Sequence, residues 1–280
     1  MSAHAAVAGP SERASARVHA LPPIGLDELV ERAALQTRVD RKYVVPAAEL
    51  DGILAEVAAL PAEARVLEMA GIRAFRYESV YFDTPELTSY WMAARARRRR
   101  VKMRTRSYVD SGTAFLEVKT KGARSATVKD RLAYDFADRA RLNHDGLDYL
   151  GAALDDGGFD EVTPTALVPT LVTRYHRTTL FVPGDEHHAE SRATIDTDLD
   201  WERDPAHRIQ TPGIVIVETK SGSRASAVDR ILWDRGHRPS TLSKYGTGLA
   251  ALRPDLASNK WSRTLRRHFD TQSFSSSLAS

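Results

Sequence analysis

The sequence predicts an α+β fold: a closed or nearly closed antiparallel β-barrel with a charged lumen, its apolar outer faces covered by helices. Three observations predict it. Arg95–Lys121 (RARRRRVKMRTRSYVDSGTAFLEVKTK) reads as a hairpin with one apolar and one cationic face. Several other segments alternate with period two and carry Arg or Lys on one face. An acid–x–Lys pair recurs in three strand-like runs, at Asp40/Lys42, Glu117/Lys119 and Glu218/Lys220. Barrel strands alternate between lumen and exterior. The three pairs, with Arg104, Arg106, Lys129, Arg131, Arg177 and Arg192 on matching faces, therefore point to one shared lumen.

In the hairpin, Lys102, Arg104, Arg106 and Tyr108 share a face, and Val101, Met103, Thr105 and Ser107 take the other. Asp110-Ser111-Gly112 supplies the turn, Gly being free to adopt positive φ. On the return, Phe115, Glu117, Lys119 and Lys121 oppose Ala114, Leu116 and Val118. Like charges opposite one another destabilise a sheet. Such a face either looks into solvent or waits for an anion.

The rest of the chain fits around the hairpin. Met1 to about Pro23 is rich in Ala and Ser and is expected to be a disordered leader. Leu26–Ala34 predicts a short helix and Thr37–Val45 a strand with Arg38, Asp40 and Lys42 on one face. Pro46 opens a helix over Ala47–Leu60, since a first-turn position tolerates the missing N–H. Phe75–Phe82 predicts a strand, Glu86–Ala94 a helix, and Thr127–Phe136 a strand. Asp138–Thr165 is helical and loop-like, with a break at Gly157-Gly158. Val168–Phe181 reads as a strand pair or one long strand, followed by a turn at Pro183-Gly184-Asp185. Arg192–Leu199 and Ile214–Lys220 predict strands, and Ala225–Trp233 and Leu242–Leu252 helices, the last despite two Gly. The end of the chain, WSRTLRRHF and a Ser-rich stretch, reads as a frayed basic tail, with an amphipathic segment for an anionic surface as the alternative. The expected organisation is a leader over 1–24, one domain over 25–254 and a tail over 255–280. No composition break marks a second domain.

Composition narrows the function. No apolar run approaches the ~20 residues of a membrane-spanning helix, and no apolar h-region follows Met1. The chain has no Cys, which excludes disulfide and thiolate chemistry and makes the cytoplasm the expected location. A net charge of only +3 means that the basic character is local. The sequence contains no Gly-rich phosphate loop, no HExxH and no GxSxG.

A lumen lined by many cations and few acids is costly to empty, because each unpaired ion withdrawn from water costs several kcal/mol. Phosphate oxygens would satisfy it: Arg binds them with a bidentate fork, Lys as a point charge. The carboxylates then have a use in holding a divalent cation that bridges phosphates.

The runs RVDRKY, YESVYFDTPEL, VKMRTRSY, FLEVKTK, TVKDRL, RYHR, RATIDTDL, IVIVETK and LSKYGTGL, in this order, closely resemble the VTC domain. That domain is the polyphosphate polymerase branch of the CYTH / triphosphate tunnel metalloenzyme superfamily. The resemblance covers roughly Leu35 to Leu252 and implies an antiparallel β-barrel tunnel, the triphosphate tunnel fold, with flanking helices. It implies transfer of the γ-phosphate of ATP to a growing polyphosphate chain, dependent on Mn²⁺ or Mg²⁺. By resemblance Lys42, Arg104, Arg106, Lys119, Arg177 and Arg192 are the catalytic cations. Lys129, Arg131, Lys121, Lys220 and Lys244 are expected to bind substrate, with Tyr175 and Ser243 adding hydroxyl contacts. Lys121 stands where eukaryotic members have His. Glu218 matches the metal-binding glutamate, and Glu117 is expected to join it.

One departure favours polymerase over triphosphatase. The hydrolytic tunnel enzymes begin E-x-E-x-K, and here the stretch is Arg38-x-Asp40-x-Lys42. Fewer acids and more cations favour gripping a long anion over presenting a hydroxide, although Glu117, Asp196 and Asp198 leave hydrolysis open. A non-catalytic polyphosphate or inositol-phosphate module is a further alternative. A nucleic-acid partner is not expected, for want of a recognition helix or stacking platform. Other residues have plainer readings: Tyr77, Tyr81 and Phe82 as packing, His187-His188 as loop, Asp83 as a turn cap, and Arg97–Arg100 as a solvated helix end or tunnel rim.

Overall fold

Segregation of apolar and charged side chains by strand face organises the computed structural model, which describes residues 10–32, 39–121 and 127–269. Among these residues eleven strands share one sheet. They are β1 (Pro23–Ile24), β2 (Val39–Pro46), β3 (Arg65–Leu67), β4 (Phe75–Asp83), β5 (Arg100–Tyr108), β6 (Thr113–Lys121), β7 (Thr127–Tyr134), β8 (Val168–Val182), β9 (Ser191–Asp204), β10 (His207–Gln210) and β11 (Ile214–Ser221). The helices are α1 (Pro10–Ala20), α2 (Leu26–Arg32), α3 (Leu50–Ala58), α4 (Thr88–Ala94), α5 (His144–Gly157), α6 (Ala227–Asp234), α7 (Lys244–Leu252) and α8 (Ser262–His268).

The main hydrogen-bonded order is β2-β11-β9-β8-β4-β5-β6-β7, with β1 on β3, β3 on β8, and β10 on β9. β1 runs parallel to β3, whereas β2 and β9 on β11, β10 on β9, β3 on β8, and the β4-β5-β6-β7 series are antiparallel. The α+β class stands, but the expected closed barrel does not: among the described residues the order has two ends, β2 and β7. The free edge of β7 carries exposed Lys129, Asp130 and Arg131, and charge on an edge strand opposes further pairing. Arg38 lies outside the described residues.

Within the region expected as one domain, two compact units can be distinguished, each assembled from separated segments. The first comprises Met1–Phe75, His176–Asp198 and Pro212–Ser240; the second Arg76–Tyr175, Leu199–Thr211 and Thr241–Ser280. Long strands β8 and β9 contribute to both, which is why no composition break shows in the sequence.

In the first unit, α1, α3 and α6 bury one apolar face of β2, β9 and β11 in a core that includes Val45, Ile53, Leu54, Ile195, Val217 and Leu232. The leader expectation fails over residues 10–24. Ala14 and Val18 sit four apart on one helical face and are buried in this core. Behind the sheet lies a buried polar knot. Asp229, fully buried, accepts from Tyr43 Oη (2.7 Å) and Thr219 Oγ1 (2.5 Å). It also closes a capping box with Ser226 at the start of α6. Arg41 Nη1 reaches it at 3.4 Å.

In the second unit, β4, β5 and β6 turn Val80, Phe82, Val101, Met103, Leu116 and Val118 toward α5, where Leu150 and Leu154 complete the core. Gly158 takes φ +64° and ends α5 in the left-handed cap that Gly suits. Asp83 accepts from the backbone N–H of Thr84, Ser89 and Tyr90 and from Tyr245 Oη, so it does cap the turn before α4.

The chain end is not frayed through residue 269. Trp261, Thr264 and Phe269 are buried, and the two glycines of α7 explain how. A Cβ on Gly246 would stand 2.4 Å from the Trp261 ring, and one on Gly248 would stand 2.1 Å from Trp201. Both tryptophans lie on bare helix backbone. Gly248→Ala is therefore expected to destabilise the fold by about 1–3 kcal/mol through overpacking, despite the higher helix propensity of Ala. Urea unfolding checks it; an unchanged or raised midpoint would contradict this packing.

Candidate active site

Hairpin β5–β6 and strand β7 build a cationic face in the second unit. Along β5 the odd-numbered residues Val101 to Ser107 are buried, and Lys102, Arg104, Arg106 and Tyr108 are partly exposed, as alternation predicts. Register places Lys102 opposite Lys119 and Lys119 opposite Lys129. It also places Arg104 opposite Glu117 and Glu117 opposite Arg131. Thus Lys102, Arg104, Arg106, Lys119, Lys129 and Arg131 share a face with one carboxylate.

That carboxylate is the organising anion. Glu117 is 3% exposed. One oxygen accepts from Arg104 Nε (2.9 Å) and Nη2 (2.7 Å), with Arg106 Nε at 3.6 Å; Lys129 Nζ lies 2.8 Å from the other. Burial raises the pKa of Glu117, but Arg104 and Lys129 outweigh it and hold the carboxyl below its ordinary value. Arg104 moves above its ordinary value: burial opposes its charge, but Tyr81, which accepts from Nη1 at 3.1 Å, and Glu117 prevail. The Arg106 Nε is buried and makes no hydrogen bond.

Aromatic rings support the cations. Arg104 lies over Tyr81 (5.7 Å) and Arg106 over Tyr77 (5.9 Å), and Tyr77 stacks on Tyr175 at 5.3 Å. Arg131 lies over Phe115 at 4.7 Å. Lys244 Nζ sits 4.4 Å from the Tyr175 ring centroid. Ser243 caps α7 by accepting from Gly246 N–H and also accepts from Lys102 Nζ at 2.8 Å. Lys121 pairs across the hairpin with Arg100. The packing read for Tyr77 and Tyr81 is thus specific: they form the floor under Arg104 and Arg106. Lys102 was missed as a site residue, although its even-numbered position on β5 marked it.

An ion network elsewhere in the same unit gives the contrast. Arg174 meets Glu78 (2.8 Å), Glu202 (2.6 Å) and Asp200 (3.5 Å), with Arg139 on Glu78 and Arg208 on Asp200. There three acids meet three cations, which is how a structural network balances. Around Glu117 the cations outnumber the acid.

The first unit carries its own charged face on β2, β11 and β9. Register aligns Asp40, Lys220 and Arg192 in one row, and Lys42, Glu218 and Thr194 in the next. Asp196, fully buried, takes a bidentate grip from Arg177 Nε (2.6 Å) and Nη2 (2.8 Å). Lys220 contacts Glu218 closely and lies 3.5 Å from Asp40. Burial pushes Lys220 down to about 7; Asp40 opposes the shift, while Lys42, Arg192 and Arg177 reinforce it.

For a divalent cation the donors of this face are carboxylate oxygens, which suit hard ions such as Mg²⁺ or Mn²⁺. No group of three or more His, Cys, Asp or Glu among the described residues is placed to hold a metal ion. Glu218 is a single carboxylate with one oxygen in close contact with Lys220, so a metal ion here would need phosphate and water oxygens as its other ligands. Glu117 fits it poorly, because three cations already surround its oxygens.

No helix among the described residues is long and apolar enough to cross a membrane. A family model described as the VTC domain matches residues 37–253. A solved structure of a candidate adenylate cyclase from Vibrio parahaemolyticus is 16% identical, covering 78% of this chain and 87% of that one, with a TM-score of 0.37. A candidate adenylyl cyclase from Hippeastrum, described as having a dominant triphosphatase activity, is 13% identical over 78% of this chain and 96% of that one, with a TM-score of 0.43. A conserved hypothetical protein from Pyrococcus furiosus is 11% identical over 71% and 88%, with a TM-score of 0.34. No curated protein matches the chain.

Proposed function

The chain belongs to the VTC domain family, and from that premise we propose that it is a polyphosphate polymerase, transferring the γ-phosphate of ATP to a growing inorganic polyphosphate chain. One observation carries the reading: six cations share the β5–β7 face with a single buried carboxylate. A face so unbalanced is suited to a phosphate-dense ligand.

In this reading Arg104 and Arg106, lying over Tyr81 and Tyr77, bind phosphoryl oxygens, with Lys119, Lys129, Arg131 and Lys121 extending the grip. Lys102, Ser243, Lys244 and Tyr175 bind further oxygens. Lys42, Arg177, Arg192 and Lys220 serve the same chemistry in the first unit. The terminal phosphate oxygen of the chain attacks the γ-phosphorus in line. A new P–O bond forms, the bond to the ADP oxygen breaks, and the positioned cations stabilise the spreading negative charge. No side-chain nucleophile is needed, since catalysis rests on positioning and charge. Glu218 would hold Mg²⁺ or Mn²⁺, which when bound neutralises phosphate charge. Glu117 acts as the counter-ion that spaces Arg104, Arg106 and Lys129.

Incubation with ATP and Mn²⁺, resolved on a gel, tests the activity. A ladder of long phosphate chains is expected; free phosphate alone would replace this reading with a triphosphatase.

A further inference from the structure

The cationic face of β5 does not stop where the strand begins. Arg100 stands opposite Lys121, one row beyond Lys102, Lys119 and Lys129. Rows on one face of a sheet are spaced by two residues, about 6.7 Å. Nearby, Lys260 Nζ donates to the Ala93 carbonyl at 2.7 Å, and its pKa is lowered, first by burial and then by Arg100 and Lys121.

Just before this row the backbone kinks. Ala96 adopts φ +51°, in the left-handed region that non-glycine residues rarely enter, and Arg97 N–H bonds back to the Met92 carbonyl at 2.9 Å. The kink sets Arg95, Arg97, Arg98 and Arg99 along one groove of about 670 Å³, with Trp91 in its wall and Glu86 and Glu161 also lining it. All four arginines are exposed. None makes an ion pair with Asp or Glu among the described residues. Arg95 lies 4.9 Å from the Trp91 ring centroid and Arg99 5.3 Å from that of Phe159. A guanidinium resting on a ring gives up rotamer freedom in advance and keeps its N–H edge available to an anion.

We infer that this groove is a second binding site for long-chain inorganic polyphosphate, continuous with the cation rows of β5 and β6. It holds a part of the chain remote from the reacting end. The choice of ligand rests on the proposed polymerase reading. One observation favours it over single-stranded nucleic acid. Trp91, the aromatic ring of the groove's own lining, is engaged by Arg95 and gives a base little to stack on.

The test uses the full chain and three probes: tripolyphosphate, long-chain polyphosphate and single-stranded RNA. Arg97→Gln/Arg98→Gln alters two exposed side chains, and an unchanged unfolding midpoint confirms that the variant is folded. Wild type is expected to bind the long chain at least tenfold more tightly than tripolyphosphate, with a steep salt dependence. The double variant should lose most of that advantage and bind tripolyphosphate as before. A single Arg98→Glu change should act in the same direction. Equal long-chain affinity in wild type and variants overturns the groove, as does a wild type that does not prefer the long chain, or RNA that competes better than polyphosphate. Should ATP yield no phosphate ladder while the long-chain preference and its loss are observed, the polymerase reading falls and the groove stands. Should a normal ladder accompany equal long-chain affinities, the groove falls and the polymerase reading stands.

Discussion

Glu117→Ala is expected to lower stability by about 3–5 kcal/mol, the range for removing one member of a buried ion pair. Glu117 is 3% exposed and Arg104 21% at the side chain, with Arg106 and Lys129 also facing the lost carboxylate. Lys129, 44% exposed, can swing into water. Arg104 and Arg106 are held against Tyr81 and Tyr77, so the lower end of the range is the better expectation. The distinguishing measurement is the thermal shift caused by tripolyphosphate. The variant should gain more than the wild type, because phosphate supplies the missing anion. Stability carried by a carboxyl whose pKa is depressed in the fold is present above its ordinary pKa and fades as pH falls through the depressed one. The gap between wild type and variant should therefore narrow in acid, below the usual carboxylate range. A gap that widens there would falsify the role of Glu117 as counter-ion.

Arg177→Ala carries the second large effect. The Asp196 carboxylate is fully buried and receives a bidentate pair of hydrogen bonds from this guanidinium. Alanine leaves it without them, again at about 3–5 kcal/mol. The effect on turnover is separate. Losing a charge-assisted contact to phosphate costs about 1.5–3 kcal/mol, roughly ten- to a hundredfold in kcat/KM. Arg177→Ala/Asp196→Ala separates the two: stability should recover in large part, since the buried carboxylate is gone, and turnover should not. Recovery of both would make Arg177 a structural residue alone. Normal turnover in the single variant would remove it from the site.

The hairpin was legible because alternation on β5 is strict, and its register pairs Arg104 with Glu117 as the facing residues require. The acid–x–Lys echoes were legible for the same reason, and in the first unit they fall in adjacent rows of β2 and β11. What failed was closure. Alternation says which way a side chain points relative to its own strand, and nothing about whether the last strand returns to the first. The helix over Pro10–Ala20 was missed because small residues dominate it, and only Ala14 and Val18 signal a buried face. The docked end at Trp261 was missed because its partner surface is an absence, the bare backbone of Gly246. Glu117 was read as a metal ligand because spacing cannot tell whether a carboxylate meets a metal or three cations.

The Asp229 knot bears on how the reactive face can evolve. Tyr43 and Thr219 reach back to that carboxylate, and their immediate neighbours Lys42 and Glu218 point the other way. The knot works as a keel: hidden, anchored to a helix cap, and fixing the pitch of both strands. A change at Lys42 therefore leaves the knot itself untouched, whereas a change at Asp229 would unseat charges it never touches.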